Sequence, residues 1–514
     1  MKKILLIILD GFGMKEDIYG NAIKNAGMTN FINIWNNYPH CLLKNNEEDI
    51  GLPSNQCSCS ELGHKLLGAG TVVDNKLTKA NDILNNGKIK YNSKFNEMIY
   101  KLKNNNQSNL HISFLISDGG ISSHIDHLKS FIKELKNNNV SNKVYLHLIS
   151  DGRDSYKYDT YKYIEQIKDI LDNNVNIATI CGRYYALDNT KDYSRTKYYY
   201  ELLTEGKAVD SPNLEKVIKM CYNKKISDEY LLPIKTDYFA PLKNEDTFIF
   251  LNFSKFNQIQ MLEALAKNDF NKFKTTNIKL NIYSLFEIDK NINKNYFIDT
   301  PESKTSIGEY LSKLGVTQAR IYESVKKPSL RYFFEGERDI ELENCAYIEV
   351  ESPKINSFDN KPEMNSLAVS KETIKQMEKD CDFIVCNFAN PDEVGHTGNY
   401  QATINGLQAI DVCLGKILDV AEENFYKVMI VGSHAKADTI IDKENNIVTK
   451  NTLNPIPFII MDKKVKLYNG DITMVAPTIL KYLDISLPKE MKETRILFNK
   501  KWDYLIFLLK KLQF

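Results

Sequence analysis

The sequence predicts an α/β protein with largely parallel sheets, and two observations carry that expectation. Short apolar runs rich in Ile, Val and Phe recur along the chain: KILLIIL, HISFLIS, KVYLHLIS, NIATIC, DTFIFLNF, CDFIVCNF and KVMIVGS. None shows the polar alternation of a half-exposed strand, and amphipathic stretches of helix length separate them, which is the pattern of parallel strands covered on both faces. At 514 residues the chain is too long for one compact core, and roughly two to four domains are expected.

At the N-terminus, MKKILLIILDGFG has the basic start and apolar run of a signal peptide. The run ends at Asp10 with no small-residue cleavage site after it, so it is expected to be a buried strand. Next comes SNQCSCSELGHKLLGAG, Ser54 to Gly70, with serines and cysteines just ahead of a glycine-rich turn. Which of them is a nucleophile depends on what base or metal converges there. Residues 77–304 carry their own strand set and their own charged strand ends. The flanking segments, 1–76 and 305–514, share a different theme of Asp, Ser and His. An inserted domain with two hinges is the expectation. In parallel sheets ligands sit beyond the carboxyl ends of strands, so the residues closing each run are the candidates: Asp10, Asp118, Asp151, Asp392 and His434.

Sixty-seven basic residues balance sixty-six acidic ones without long blocks of like charge, so nothing points to nucleic acid or an acidic membrane surface. Any partner is expected to be small. The cysteines, nine in number, show no paired CxxC spacing, which fits reduced thiols in a cytoplasmic protein. No apolar stretch reaches the ~18 residues that a transmembrane segment needs. The chain ends in FNKKWDYLIFLLKKLQF. Its residues 499–514 are expected to pack on the domain or, as an alternative, to contact a partner or membrane surface.

The chemistry gathers in a few motifs. NPDEVGHTG sets Asp392 and His396 four residues apart, so one helical turn presents a carboxylate and an imidazole to the same point, an arrangement suited to a divalent metal. LDGFG contributes Asp10, and SHAKAD contributes His434. A hydroxyl bound to such a metal loses its proton near neutral pH.

LDGFG followed by GNAI, then GLPSNQ, SELGHKLLGAG, SDGGISSHIDHL, SDGRDS, GRYYALD, CNFANPDEVGHTG and NPIPFI together resemble cofactor-independent (2,3-bisphosphoglycerate-independent) phosphoglycerate mutase, of the alkaline phosphatase superfamily. The match is collinear from residue 3 to about residue 495. The resemblance implies an alkaline-phosphatase-like metal-binding domain, 1–76 and 305–514, with an inserted phosphotransferase domain, 77–304. It implies up to two Mn or Mg ions and a small phosphorylated acid as substrate, with 3-phosphoglycerate and 2-phosphoglycerate interconverted through a phosphoserine in glycolysis. Carried over residue by residue, the nucleophile falls on Ser60, and Asp10, Ser60 and His434 match ligands of one ion while Asp392 and His396 match ligands of the other. Asp154 matches the proton-transfer carboxylate, Lys326 the lysine that neutralises the phosphate in flight, and Arg153, Arg183 and His124 the substrate-binding positions.

The departures are as systematic as the matches. Where the family has a metal-ligating aspartate this chain has Ser433, and where it has a metal-ligating histidine this chain has Asn451. Ser122 and Ser329 replace active-site histidines, and Asn189, Ser254 and Asn257 replace arginines. Planar guanidinium groups hold phosphate and carboxylate best, so three lost arginines at about 2 kcal/mol each would weaken substrate binding by roughly ten-thousandfold. Weaker metal binding and reduced mutase activity are therefore expected. The alternatives are a catalytically inactive paralogue with a binding or regulatory role, or a phosphate-ester hydrolase of altered substrate.

Overall fold

The computed structural model describes residues 2–491, 493 and 497–499. Residues 500–514 of the C-terminal tail lie outside the described residues. The chain divides into two compact units, one formed up to Asn75 and again from Pro301 onward, the other by Lys76–Thr300. Each is an α/β unit on an eight-stranded, largely parallel sheet.

In the discontinuous unit the strands run in the order Cys345–Val350, Gln318–Glu323, Phe383–Phe388, Lys3–Leu9, Tyr426–Gly432, Ile456–Ile460, His40–Lys44 and Gly470–Asp471. The first five pair in parallel, and Ile456–Ile460 is antiparallel to both neighbours. Lys3–Leu9 lies at the centre. Ile4, Leu6 and Ile8 enter one core cluster and Leu5, Ile7 and Leu9 the cluster on the opposite face, which is why the run shows no polar alternation. Leu9 aligns with Phe388 on one side and Gly432 on the other, so three adjacent strands end level with one another. That level rim is where ligands bind in sheets of this kind.

The inserted unit orders its strands Tyr296–Ile298, Asn281–Phe286, Thr247–Phe250, Leu110–Ile116, Val144–Ser150, Val175–Gly182, Ile234–Lys235 and Val209–Asp210. Only the pair Val175–Gly182 with Ile234–Lys235 is antiparallel. Leu110, Ile112, Phe114 and Ile116 face one core cluster. On the other face of the same strand His111 and Ser113 are buried, and they bond to His147 and to Tyr199 at 2.9 Å each. No helix among the described residues is long and apolar enough to cross a membrane.

Candidate active site

The rim of the discontinuous unit collects the polar residues that close its strands. Asp10 follows Lys3–Leu9, Ser433 and His434 follow Tyr426–Gly432, and Asp392 lies in a short helix, Asn390–Glu393, just past Phe383–Phe388. Two glycines permit the close approach. Gly11 has φ +76°, and a Cβ there would sit 2.8 Å from the Asp392 backbone. A Cβ on Gly63 would sit 2.2 Å from the Ser433 carbonyl oxygen. Gly63 thus lets the helix Ser60–Ala69 lie against the strand end, with Ser60 in its first turn, where unpaired N–H groups favour negative charge.

The Ser60 hydroxyl donates to Asp10 Oδ2 at 2.7 Å and lies 3.3 Å from Ser329 Oγ. His64, one turn on, donates Nδ1–H to the Ser60 carbonyl at 2.7 Å, while its Nε2 accepts from Asn387 Nδ2 at 3.0 Å. Ser54 instead donates to Glu48 at 3.1 Å, and Ser58 is buried with no partner for its hydroxyl. Cys57 has its thiol pushed up to about 11 by burial, which removes it as a thiolate nucleophile at neutral pH.

Lys326 sits among three carboxylates. Its ammonium lies 2.9 Å from Asp10 Oδ2 and from Glu393 Oε1 and also pairs with Asp392 Oδ2. Burial alone would lower the Lys326 pKa and raise those of Asp10 and Asp392. The mutual attraction wins, holding the lysine well above its usual range and both aspartates well below theirs. His434 bridges the two aspartates, with Nε2 2.9 Å from Asp392 Oδ1 and Nδ1 3.3 Å from Asp10 Oδ1. Burial would lower its pKa, but the Asp392 and Asp10 carboxylates raise it to about 9. His396 Nε2 lies 3.1 Å from Asp392 Oδ1, and its Nδ1–H donates to the Thr449 carbonyl at 2.7 Å. The donor atoms of Asp392, His396 and His434 all lie within 4.8 Å of one another, and all three residues are buried.

Of the positions where the sequence is expected to depart from the family, Ser433 donates its hydroxyl to Asp10 Oδ1. Asn451 donates Nδ2 to the Ser58 carbonyl at 2.9 Å, and its buried Oδ1 has no partner.

The inserted unit holds a second buried cluster. Arg183 Nη1 donates to Asp151 Oδ1 at 2.6 Å and to Asp154 Oδ2 at 2.9 Å. Ser122 Oγ bonds Asp154 Oδ2 at 3.0 Å, and Ser117 Oγ bonds Asp151 Oδ2 at 2.5 Å. Burial would lower the Arg183 pKa, but the two carboxylates raise it. Arg153 follows Asp151 on the same loop and donates its backbone N–H to Asp151 Oδ1 at 3.2 Å. His124 caps the helix Ile125–Asn137, its Nδ1 accepting from Asp126 N at 3.3 Å. Asn189 is exposed, Asn257 half-buried, and Ser254 buried with its carbonyl accepting from Gln258 at 2.8 Å.

Two residues of these clusters escape sequence reasoning as site residues. Glu393 stands beside Asp392 in NPDEVGH, and Asn387 lies one residue before the end of the strand Phe383–Phe388, whereas Asp151 is already a candidate from its place at the end of KVYLHLIS. The only signal for the first two was adjacency to a motif residue.

The Metalloenzyme superfamily model matches residues 2–487. The 2,3-bisphosphoglycerate-independent phosphoglycerate mutase of Aster yellows witches'-broom phytoplasma is 37% identical over 503 residues, covering 95% of this chain and 98% of that protein. The protein of the same name from Clostridium tetani is 35% identical over 513 residues, covering 97% of this chain and 99% of that protein. This chain belongs to that mutase family. The crystal structure of Leishmania mexicana phosphoglycerate mutase, 23% identical, has the same fold, with a TM-score of 0.91 over 97% of this chain and 98% of that one.

Proposed function

We propose that this chain carries out the reaction of its family, moving phosphate between the hydroxyls of a small phosphorylated acid such as 3-phosphoglycerate through a phosphoserine at Ser60, at a reduced rate. The observation that carries this reading is the Ser60 hydroxyl, in the first turn of its helix, bonded to Asp10 and close to the cation Lys326 that Asp10 shares. Attack by Oγ on phosphorus breaks the substrate P–O bond, and the freed glycerate receives the phosphoryl group back at its other hydroxyl. Lys326 offsets charge on the phosphoryl group, Asp154 exchanges the proton of the substrate hydroxyl, and Arg153, Arg183 and His124 bind the acid. The discontinuous unit then serves as the phosphatase-like part and the inserted unit as the substrate-binding part.

The residues fit a divalent cation. Two imidazoles and a carboxylate converge in one buried place, beside a unit that already holds more carboxylates than cations, and this donor set favours Mn over Mg. Asp392, His396 and His434 would hold it, with Asp10 and Ser60 alongside. When bound, such an ion supplies the charge that lowers a hydroxyl pKa and stabilises the transferring phosphoryl group. The reduced rate follows from Ser433 and Asn451, which withhold a carboxylate and an imidazole, and from Arg183, which is already engaged by Asp151 and Asp154.

The test is to incubate the protein with 3-phosphoglycerate and Mn, follow 2-phosphoglycerate, and locate phosphate by peptide mass. Slow turnover with phosphoserine at Ser60, lost in Ser60→Ala, is the expected result. Turnover unaffected by Ser60→Ala, or phosphate on another residue, would sink the assignment. Substrate binding without any phosphoserine would favour the inactive-paralogue reading, for which the engaged Arg183 is the specific observation.

A further inference from the structure

We propose that this chain holds a single divalent cation, ligated by Asp392 Oδ1, His396 Nε2 and His434 Nε2, and that Asp10 acts through the Ser433 hydroxyl as the carboxylate orienting His434 rather than as the ligand of a second ion. The inference rests on the reading of this cluster as a metal centre, and it deepens that reading by fixing the number of ions and their ligands.

The argument begins with which nitrogen of each ring is available. His396 Nδ1 faces the Thr449 carbonyl at 2.7 Å, a group that can only accept, so Nδ1 carries the proton and Nε2 is left for a ligand. His434 Nδ1 faces the Asp10 carboxylate at 3.3 Å, with Ser433 Oγ at 2.9 Å, while its Nε2 faces Asp392. Both rings therefore aim Nε2 at the same oxygen, Asp392 Oδ1, at 3.1 and 2.9 Å. Each is backed at Nδ1 by an acceptor, one the Thr449 carbonyl and the other the Ser433 hydroxyl, which itself donates to the Asp10 carboxylate. That is the outer-shell pattern which fixes ring orientation and raises ligand basicity in histidine metal sites. An imidazole nitrogen has one lone pair to give. With Nε2 committed to the Asp392 side and Nδ1 donating to Ser433 Oγ, which in turn donates to Asp10, His434 has nothing left for an ion next to Asp10.

What remains around Asp10 is poor in ligands. Its Oδ2 takes the Ser60 hydroxyl at 2.7 Å and the Lys326 ammonium at 2.9 Å, and its Oδ1 takes the Ser433 hydroxyl. One carboxylate and two hydroxyls, beside a fixed ammonium, offer a dication less charge than tight oxygen sites provide. Ser433 is decisive: it brings a donor to Asp10 Oδ1 where a carboxylate would bring a second negative charge. The composition of the occupied site, two nitrogens and one oxygen with open positions, suits Mn, Co or Zn better than Mg.

The test is a count of ions on untagged, metal-stripped protein, without any phosphorylated acid, by equilibrium dialysis and elemental analysis with Mn and with Co. Electron paramagnetic resonance of the Mn form reads whether bound ions are neighbours. One ion per chain and a signal free of ion–ion coupling are expected. Asp10→Asn should keep the count at one and weaken binding about 10–100-fold, whereas His396→Ala and Asp392→Asn should abolish stoichiometric binding. Two ions per chain, a coupled pair, or an Asp10→Asn variant that loses an ion while its remaining affinity is unchanged would overturn the proposal, as would no stoichiometric binding at all. The wild-type count stands even if a variant fails to fold. Because no substrate is present, failure here leaves the phosphoserine measurement at Ser60 to judge the proposed activity separately.

Discussion

Lys326 and Arg183 are both buried cations locked to carboxylates, one in each unit, yet the two clusters are built to different ends. Around Lys326 stand Asp10, Asp392 and Glu393, with His396 and His434 turned toward the same aspartate oxygen. With His434 raised to about 9 and charged at neutral pH, two cations face three carboxylates, and the convergent imidazole nitrogens give a further cation somewhere to bind once that proton leaves. Around Arg183 stand Asp151 and Asp154, each also bonded by a serine hydroxyl, with Arg153 near enough to act on it as a like charge. That cluster sets two carboxylates against two guanidinium groups, with backbone N–H groups also donating to Asp151 Oδ1, and no convergent set of histidine nitrogens is found there among the described residues. The difference teaches that two buried clusters of cations and carboxylates can have opposite appetites for a ligand, depending on the charge and the donors each presents. The first cluster still attracts a cation. The second has closed on its own arginine, so an anionic substrate must compete with two carboxylates for it.

The largest effects should come from removing either cation. Lys326→Met leaves three buried carboxylates without their ammonium, and a loss of about 3–5 kcal/mol in stability is expected from breaking such a network. Arg183→Met leaves two, each retaining a serine partner, and should cost less, about 2–3 kcal/mol. Thermal melts with and without Mn sharpen the contrast. Mn should recover much of the loss in Lys326→Met and none in Arg183→Met. Equal recovery in both, or in neither, would mean that the clusters do not differ in their appetite for a cation.

How much of this contrast was legible in the sequence depends on range along the chain. KILLIIL and its counterparts could be read as strands because both faces are buried, so their composition alone carries the signal. Asp392 and His396 could be paired because a single helical turn fixes their relation, and Asp10 and His434 because they close strands, whereas Ser60 could be chosen among its neighbours only through the family resemblance. What could not be read is the company each residue keeps. Lys326 and Lys327 are neighbours in sequence, yet Lys326 is 3% exposed among carboxylates while Lys327 lies outside and pairs with Glu349 at 2.5 Å. Nothing local distinguishes them. The grip of Asp151 and Asp154 on Arg183 likewise joins positions about thirty residues apart, through loops whose side-chain directions are set only by tertiary packing. The direction of the His434 ring, on which the ion count depends, is decided by Ser433 and Asp10 together and has no signature in SHAKAD.

The smallest expected effect tests whether the inserted unit keeps its buried histidines neutral, in contrast to the charge-bearing cluster of the other unit. His127 lies on the helix Ile125–Asn137, its Nε2 2.7 Å from Asn81 Oδ1 and its Nδ1 buried without a partner. Burial, with a smaller contribution from His124, pushes its pKa down to about 3. In the unfolded chain the same ring binds a proton below about pH 6.5. Stability from the neutral ring is therefore complete above about pH 6.5 and is lost as pH falls below that value, the loss continuing until the folded ring itself protonates near 3. Between pH 7 and about pH 5.5 the wild type should lose about 1 kcal/mol relative to His127→Phe, which has no proton to bind at that position. The comparison with the variant is needed because Asp228, raised by burial to about 7, titrates in the opposite sense over the same range. Denaturant melts at the two pH values give the difference directly. Parallel pH profiles for wild type and variant would show that the ring is charged in the folded protein, and the inserted unit would then lose its claim to a neutral histidine at this position.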